Sequence, residues 1–331
     1  MKYIWKIIEL TIAGVLFFMA VQYCGKAKEE SGTINAFLTG NALDKKEAEE
    51  ICAREAEREA PVKLCFWGEE PKEEVACRET GNSRIVALTV LEGNAELVAS
   101  KAASLTWQEN GCLVDTETAQ ELFGTDRADG QILWCGEDAY TVQGTFESAK
   151  KMMIRSVKET DAAMLNAVAL ELGESKNAQS DGEQFLMRYG LEGEIITLHL
   201  LVCVTEDLLL LLPAILAFSF LAMLFNRRNG SGSGSGLKGN GLRFLGAAAV
   251  LAVLAWLVKS RFRIPADMVP SRWSDFSFWE SWRKNQTQNL LRIFSTPLGE
   301  AQLGMVWNLQ KSAVCSLTAA FAGILLGRNP F

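Results

Sequence analysis

The chain has 331 residues, 49% of them hydrophobic and 22% charged, a formal net charge of −7 and a single histidine. That length accommodates a domain of about 150 residues plus several membrane helices. The charge is divided: residues 25–194 carry 18 basic and 33 acidic side chains, a net of −15, and the remainder is net +8, which excludes nucleic acid as a partner of the acidic middle.

The first element is an apolar segment over residues 7–23, preceded by Lys2 and Lys6. Basic residues at that end keep the N-terminus inside. The run closes on Val21, Gln22, Tyr23 and Cys24, without the small residues that a cleavage site needs. Residues 1–24 are therefore read as an uncleaved anchor, membrane helix 1.

Residues 25–194 read as one extracytoplasmic domain. Residues 26–43 form a polar lead-in. Asp44 and Glu47 make a capping-box signal for a helix over 44–60, stopped by Pro61. Its apolar side is Ala48, Ile51, Cys52 and Ala56. Residues 62–67 and 84–91 read as strands. Cys65 and Cys77 flank a Pro/Glu-rich stretch read as a turn, across which they are placed to pair. Residues 111–144 have the clearest local code. Residues 112–114 are strand-like, and Asp115 caps a helix with Glu117 in its first turn. Ala119, Leu122 and Phe123 share one face, with Phe123 expected in the core, and Gly124 ends the helix. Residues 131–135 and 140–142 flank a Gly-Glu-Asp turn as a hairpin. Cys112 and Cys135 fall on neighbouring strands in that reading. Residues 150–190 are mixed, with a helix at 182–189.

Residues 195–225 form a second apolar segment, longer than a bilayer requires and interrupted by Glu206 and Asp207. Two adjacent carboxylates at mid-membrane are costly. The segment therefore divides into a stalk, 195–205, and a span, 208–225, with the acids at the border and Pro213 placed to kink the span. Residues 226–241 are a Gly/Ser-rich cytoplasmic loop. Residues 242–258 and 306–327 are membrane helices 3 and 4. Between them, residues 259–305 form an outer loop with Trp273, Phe276, Trp279 and Trp282 beside basic residues, the composition of a helix lying in the membrane interface. The inner loop, with Arg227, Arg228 and Lys238 and no acid, obeys the positive-inside rule; the outer loop, with seven basic and four acidic residues over 259–310, does not.

No catalytic constellation is present. There is no GxxxxGK[ST], HExxH or GxSxG, and His199 has no poised partner. Glu206 and Asp207 mark either the membrane border or a proton relay, the cost argument favouring the border. Six cysteines, at 24, 52, 65, 77, 112 and 135, lie outside in this topology. That compartment permits disulfides, but with no CxxC and no zinc spacing these residues read mainly as small apolar side chains. No cofactor or metal is called for.

Cys112, Leu113, Val114, Asp115, Ala119, Leu122, Phe123, Gly124, Gly130, Ile132, Tyr140, Val142 and Gly144 form a pattern. It resembles the end of the extracytoplasmic core domain of MacB/FtsX-like ABC transporter permeases. Residues 91–98 look like the short turn that precedes a small helix in the same domains. The resemblance covers residues 84–144 in detail and the topology of the whole chain. It implies an α+β extracytoplasmic domain plus four transmembrane α-helices in the cell membrane. It also implies a permease without enzymatic activity, dimeric with a second permease subunit and driven by a separate cytoplasmic ABC ATPase. The inner loop of such permeases helps engage the ATPase, which makes Arg227 and Arg228 the coupling candidates; here that loop has no clear helix. That departure favours the alternative, a membrane-anchored extracytoplasmic sensor or scaffold without transport.

Overall fold

The computed structural model describes residues 2–29, 32–40, 42–99, 110–148, 150–159, 165–172, 178–226, 237–261, 276–295 and 299–328. The chain divides into two compact units. A helical unit comprises Met1–Glu29, His199–Val269 and Val306–Phe331, and a sheet unit comprises Glu30–Leu198 and Pro270–Met305.

The sheet unit contains nine strands: β1 (Thr33–Leu38), β2 (Lys63–Cys77), β3 (Asn82–Gly93), β4 (Gly111–Asp115), β5 (Ile132–Cys135), β6 (Asp138–Phe146), β7 (Met152–Ser156), β8 (Ala167–Glu171) and β9 (Gly193–Ile196). Their order is β3-β7-β4-β6-β5-β2-β8-β1-β9, and β3 also pairs with β2. That extra pairing closes β3, β7, β4, β6, β5 and β2 into a six-stranded ring. Alternate residues of the ring strands, among them Val75, Val86, Leu88, Val114, Leu133, Val142 and Met153, are buried in one cluster, as a face turned into a closed ring requires. β2 is shared: Val75 and Ala76 pair with β5, whereas its first residues, Lys63 to Trp67, pair with β8.

β2 corrects the expected turn between Cys65 and Cys77. The strand is continuous, with a bulge between Glu70 and Glu73 that holds Pro71. A bulge is where a strand tolerates a residue without an N–H. Cys65 and Cys77 lie on one strand and do not pair, and the cysteines are free thiols. Cys112 and Cys135 are not on adjacent strands either, since β6 lies between β4 and β5.

Two helices cover β1, β8 and the first part of β2. α2 (Lys45–Ala56) starts at Asp44 with both bonds of the capping box formed. It ends at Ala56, short of residue 60. Its buried side is Ala48, Ile51 and Glu55, so a carboxylate occupies the place expected of Ala56. α4 (Ala178–Arg188) brings Phe185 and Leu186 onto the same core, with Ile34, Ala36, Phe66, Val168 and Leu170. Gly182 lets α4 approach closely, because a Cβ there would lie 2.6 Å from Ile34. On the opposite face Trp67 meets Phe37 edge-on at 5.7 Å, beneath a 3₁₀ turn over Ala95–Leu97.

In the helical unit, α1 (Lys2–Glu29) runs past the expected residue 24. Its buried residues, Ala13, Ala20, Cys24 and Ala27, form a seam of small side chains with seven-residue spacing at 13, 20 and 27. α9 (Glu300–Arg328) joins that seam through Ser312, whose hydroxyl donates to the Ala20 carbonyl at 2.8 Å. The second segment is broken at residues 209–210, into α5 (His199–Leu208) and α6 (Leu211–Asn226); Glu206 and Asp207, expected at the border, lie within α5, and residues 195 and 196, expected in the stalk, belong to β9. The break has a local cause. Pro213 has no N–H to donate to Leu209, and its ring clashes with that carbonyl. α7 (Leu237–Arg261) completes the unit. Among the described residues, Ile7–Lys28 and His199–Ala222 are long and apolar enough to cross a membrane, and Leu245–Lys259 is a shorter apolar helix. Two candidate spans therefore stand where four were expected.

Candidate functional site

Of the motif residues, Cys112, Val114, Ala119, Leu122, Phe123, Tyr140 and Val142 meet in the ring cluster, whereas Leu113 packs in the cluster around Trp67 and Ile132 is exposed. α3 (Thr116–Phe123) follows β4 directly, and Asp115 joins the two. Its Oδ1 accepts from the Thr118 N–H at 2.9 Å and its Oδ2 from the Met152 N–H at 2.8 Å. One buried carboxylate thus caps α3 and ties it to β7. Ala119 and Leu122 are buried in the ring cluster. Phe123 is only half-buried at its margin, contrary to the expectation of a core position. Its place, one residue beyond Leu122, turns it toward the rim. Gly124 ends the helix at φ 74°, a conformation that favours glycine.

The hairpin closes the same assembly. The Gly130 N–H donates to the Val142 carbonyl at 2.7 Å, and the Val142 N–H donates to the Gln131 carbonyl at 2.9 Å. Tyr140 and Val142 are buried. Gly144 stands opposite Leu113, just past a register shift that leaves Gln143 as the extra residue. Burial raises the Tyr140 hydroxyl above its ordinary range, and the Lys158 ammonium lies 4.5 Å from its ring centre. Cys135 donates its thiol to Glu73 at 3.0 Å, and burial followed by that carboxylate pushes it up to about 12. It is a protonated, inert thiol. The arrangement is a mechanical joint of helix, ring and hairpin, with no nucleophile–base pair in it.

Three features were not legible in the sequence. Glu55, 1% exposed, accepts from the Tyr189 hydroxyl at 2.5 Å, from Arg58 and Arg188 at 3.3 Å and from the Val62 N–H at 3.1 Å. Burial, then this hydrogen bond, pushes Tyr189 up to about 12. Glu206, 5% exposed, forms an ion pair with Lys28 near the end of α1, so the acid in the last turn of α5 has a cation on the first helix. The available signal was the pairing of Lys28 with an interrupted apolar run. The third is the seat of α8 (Phe276–Ser295) on the sheet: Arg292 pairs with Glu194 at 2.7 Å, and Asn289 bonds to Thr197.

The aromatic positions are only partly described. Phe276 is 82% exposed. Trp279 and Trp282 are half-buried and meet edge-on at 6.5 Å. Trp273, Arg227 and Arg228 lie outside the described residues. The His199 ring lies 3.6 Å from the Cys203 sulfur, within α5. No group of three or more His, Cys, Asp or Glu able to hold a metal occurs among the described residues.

No protein-family model matches the chain, and no curated protein matches it. Among the solved structures similar to part of the chain are two extracytoplasmic regions. One is the extracellular domain of the noncanonic ABC-type transporter YknZ from Gram-positive bacteria, at 13% identity and TM-score 0.37, over 49% of this chain and 97% of that one. The other is the periplasmic region of MacB from Actinobacillus actinomycetemcomitans, at 7% identity and TM-score 0.38, over 50% of this chain and 89% of that one.

Proposed function

We propose that the chain is a membrane permease subunit of an ABC transporter. It works with a separate cytoplasmic ATPase and a second permease subunit to export or extract a substrate, or to pass force across the membrane. The observation that carries this reading is the insertion of the sheet domain between two apolar helices, α1 and α5–α6. The motif around Asp115, which resembles the MacB/FtsX-like core, supports it. In this reading residues 1–24, 195–225, 242–258 and 306–327 form four membrane helices, 25–194 is the outer core and 226–241 is the inner loop. Residues 259–305 then carry the interfacial helix, with Trp273, Phe276, Trp279 and Trp282 at the lipid surface.

Arg227 and Arg228 fall at the inner end of the second span, where a helix can transmit force before the Gly/Ser loop begins. Purification of the full-length protein from its native membrane is expected to bring down an ABC ATPase. Reversal of both arginines to glutamate, in protein shown to be inserted, is expected to abolish the complex or its stimulated ATP hydrolysis. Co-purification without any ATPase, or unchanged hydrolysis after reversal, moves the assignment to the scaffold or sensor alternative. Impermeant-thiol labelling supplies the topology test. Glu109→Cys should label in intact cells and Ser233→Cys should not; the opposite pattern overturns the permease reading.

A further inference from the structure

An open cleft of about 580 Å³ lies in the sheet unit where α2, the segment after β1 and the α4–β9 turn meet. That volume falls within the range of about 300–1,000 Å³ typical of small-molecule sites. Its apolar lining is Leu38, Leu43, Ile51 and Leu191, and its rim carries Glu47, Glu50, Arg54 and Glu192. Arg54 pairs with Glu50 at 3.0 Å, both side chains well exposed. Glu47 accepts from the Asp44 N–H at 3.2 Å as part of the capping box. Glu47 and Glu192 have no cationic partner among the described residues. The walls are held from behind. Tyr189 is fixed through its hydroxyl to Glu55, and the Thr39 N–H donates to the Glu192 carbonyl at 2.9 Å.

We propose that this cleft binds a small amphipathic cation, an ammonium on a short alkyl body, the chemistry of an alkylamine or of a lysine side chain. Methylenes of the ligand cover Leu38, Leu43, Ile51 and Leu191, and the charged head sits at the rim near Glu47 and Glu192. An anion of the same shape is repelled by the rim, and a neutral one gains only the apolar contact. The alternative is a solvated acidic face with no ligand preference. The proposal does not depend on the transport reading, because it concerns binding at the outer unit and needs no ATPase.

The test uses the full-length protein in nanodiscs of zwitterionic lipid, which avoids competition from anionic headgroups. Cys52→Ser removes the half-buried thiol next to Ile51, and Leu191→Cys places a reporter thiol in the cleft. Modification rates are compared for a cationic and an anionic methanethiosulfonate of similar size. The ratio of the two rates should fall about five- to tenfold when Glu47→Gln and Glu192→Gln are added, from two exposed carboxylates each worth at most about fivefold. Millimolar n-hexylammonium should slow modification at this thiol, and n-hexanol should slow it much less. Equal protection by the amine and the alcohol, or a rate ratio unchanged in the double Gln variant, overturns the proposal. If Leu191→Cys lowers the unfolding temperature, Leu38→Cys reports from the opposite wall and is judged by the same outcomes.

Discussion

The side-chain amide of Asn289, on α8, holds both backbone polar groups of Thr197. Its Nδ2 donates to the Thr197 carbonyl at 2.8 Å, and its Oδ1 accepts from the Thr197 N–H at 3.4 Å. An amide used this way imitates a neighbouring strand just past the end of β9, the outermost strand of the sheet. Open strand ends invite pairing with other chains, and here a helix from 92 residues further along the chain occupies the position.

Asn289→Ala should therefore loosen the end of β9 before anything else. The expected cost is about 1–2 kcal/mol, that of a lost two-bond contact that leaves polar backbone partly unpaired. Faster hydrogen exchange at Ile196–Leu198, with little change at β4, would bear this out. Uniform protection would show that Arg292 and Glu194 alone hold α8.

Glu55→Gln keeps the shape but removes the charge between Arg58, Arg188 and Tyr189. Breaking one partner of a buried ionic cluster typically costs about 3–5 kcal/mol. The half-exposed arginines here can rehydrate, so about 2–3 kcal/mol is expected, read as a lower unfolding temperature of the full-length protein. A substitution without effect would mean that the cluster is not formed in solution.

At the ring joint, Asp115→Ala removes a helix cap and a bond to Met152 together, for an expected loss of about 2–4 kcal/mol. Phe123→Ala is a milder change. A fully buried phenylalanine would cost about 3–5 kcal/mol, but its half-buried place at the cluster margin reduces that to about 1–2 kcal/mol. Thermal unfolding of the two variants side by side should rank Asp115→Ala as the more damaging; the reverse order would place Phe123 in the core after all.

Burial, reinforced by the charge of Glu49, raises the Glu92 carboxyl from 4.5 to about 6. The folded protein thus holds this proton more tightly than the unfolded chain. Its contribution to stability is complete below pH 4.5 and is lost as the pH rises through about 6. Glu92→Gln should abolish that decline. The difference between the stability curves of the two proteins should therefore be flat above pH 7 and bend between pH 4 and 6.5. A difference curve without the bend would show that Glu92 is solvated.

Lys28 and Glu206 join α1 to α5. Lys28→Glu or Glu206→Lys alone should destabilise the helical unit, and the two together should recover most of the loss. A coupling of about 1–3 kcal/mol in the double-mutant cycle is expected for a pair with one side buried. Additive effects would remove the ion pair from the account of helix packing.

The parts of the fold that could be read in advance are those whose signals are local. Asp44 with Glu47, Asp115 with Gly124, and the Gly136 turn each announce an element within a few residues. β8 gave no such sign. Ala-Val-Ala-Leu is buried on both faces and shows no alternation to separate it from a helix fragment. β1 lies inside the polar lead-in: its six residues include Thr33 and Asn35, and its partners lie at the far end of the domain. Ring closure by β3 and β2, and the burial of Glu55 by Arg188 and Tyr189, depend on pairings that no short window contains. At the joint, the spacing of Phe123 with Ala119 and Leu122 places it deeper than the structure does. Helical spacing fixes a direction around an axis, not a depth.

The pairing of β1 also sets an order of events. Thr33 lies opposite Glu171, and Asn35 lies opposite Ile196. β1 follows the first apolar helix immediately, so it is among the earliest parts of the domain to be made, and both its partners are among the last. At about 5–20 residues per second, the gap between them amounts to about 6–30 seconds of synthesis. During that time a strand of Thr, Ile, Ala and Phe has no place in the sheet, although the ring strands from β3 to β7 can already assemble. The last strand pairings to form are thus those of the first strand made, and a nascent chain halted before residue 167 would expose β1 while holding all six ring strands.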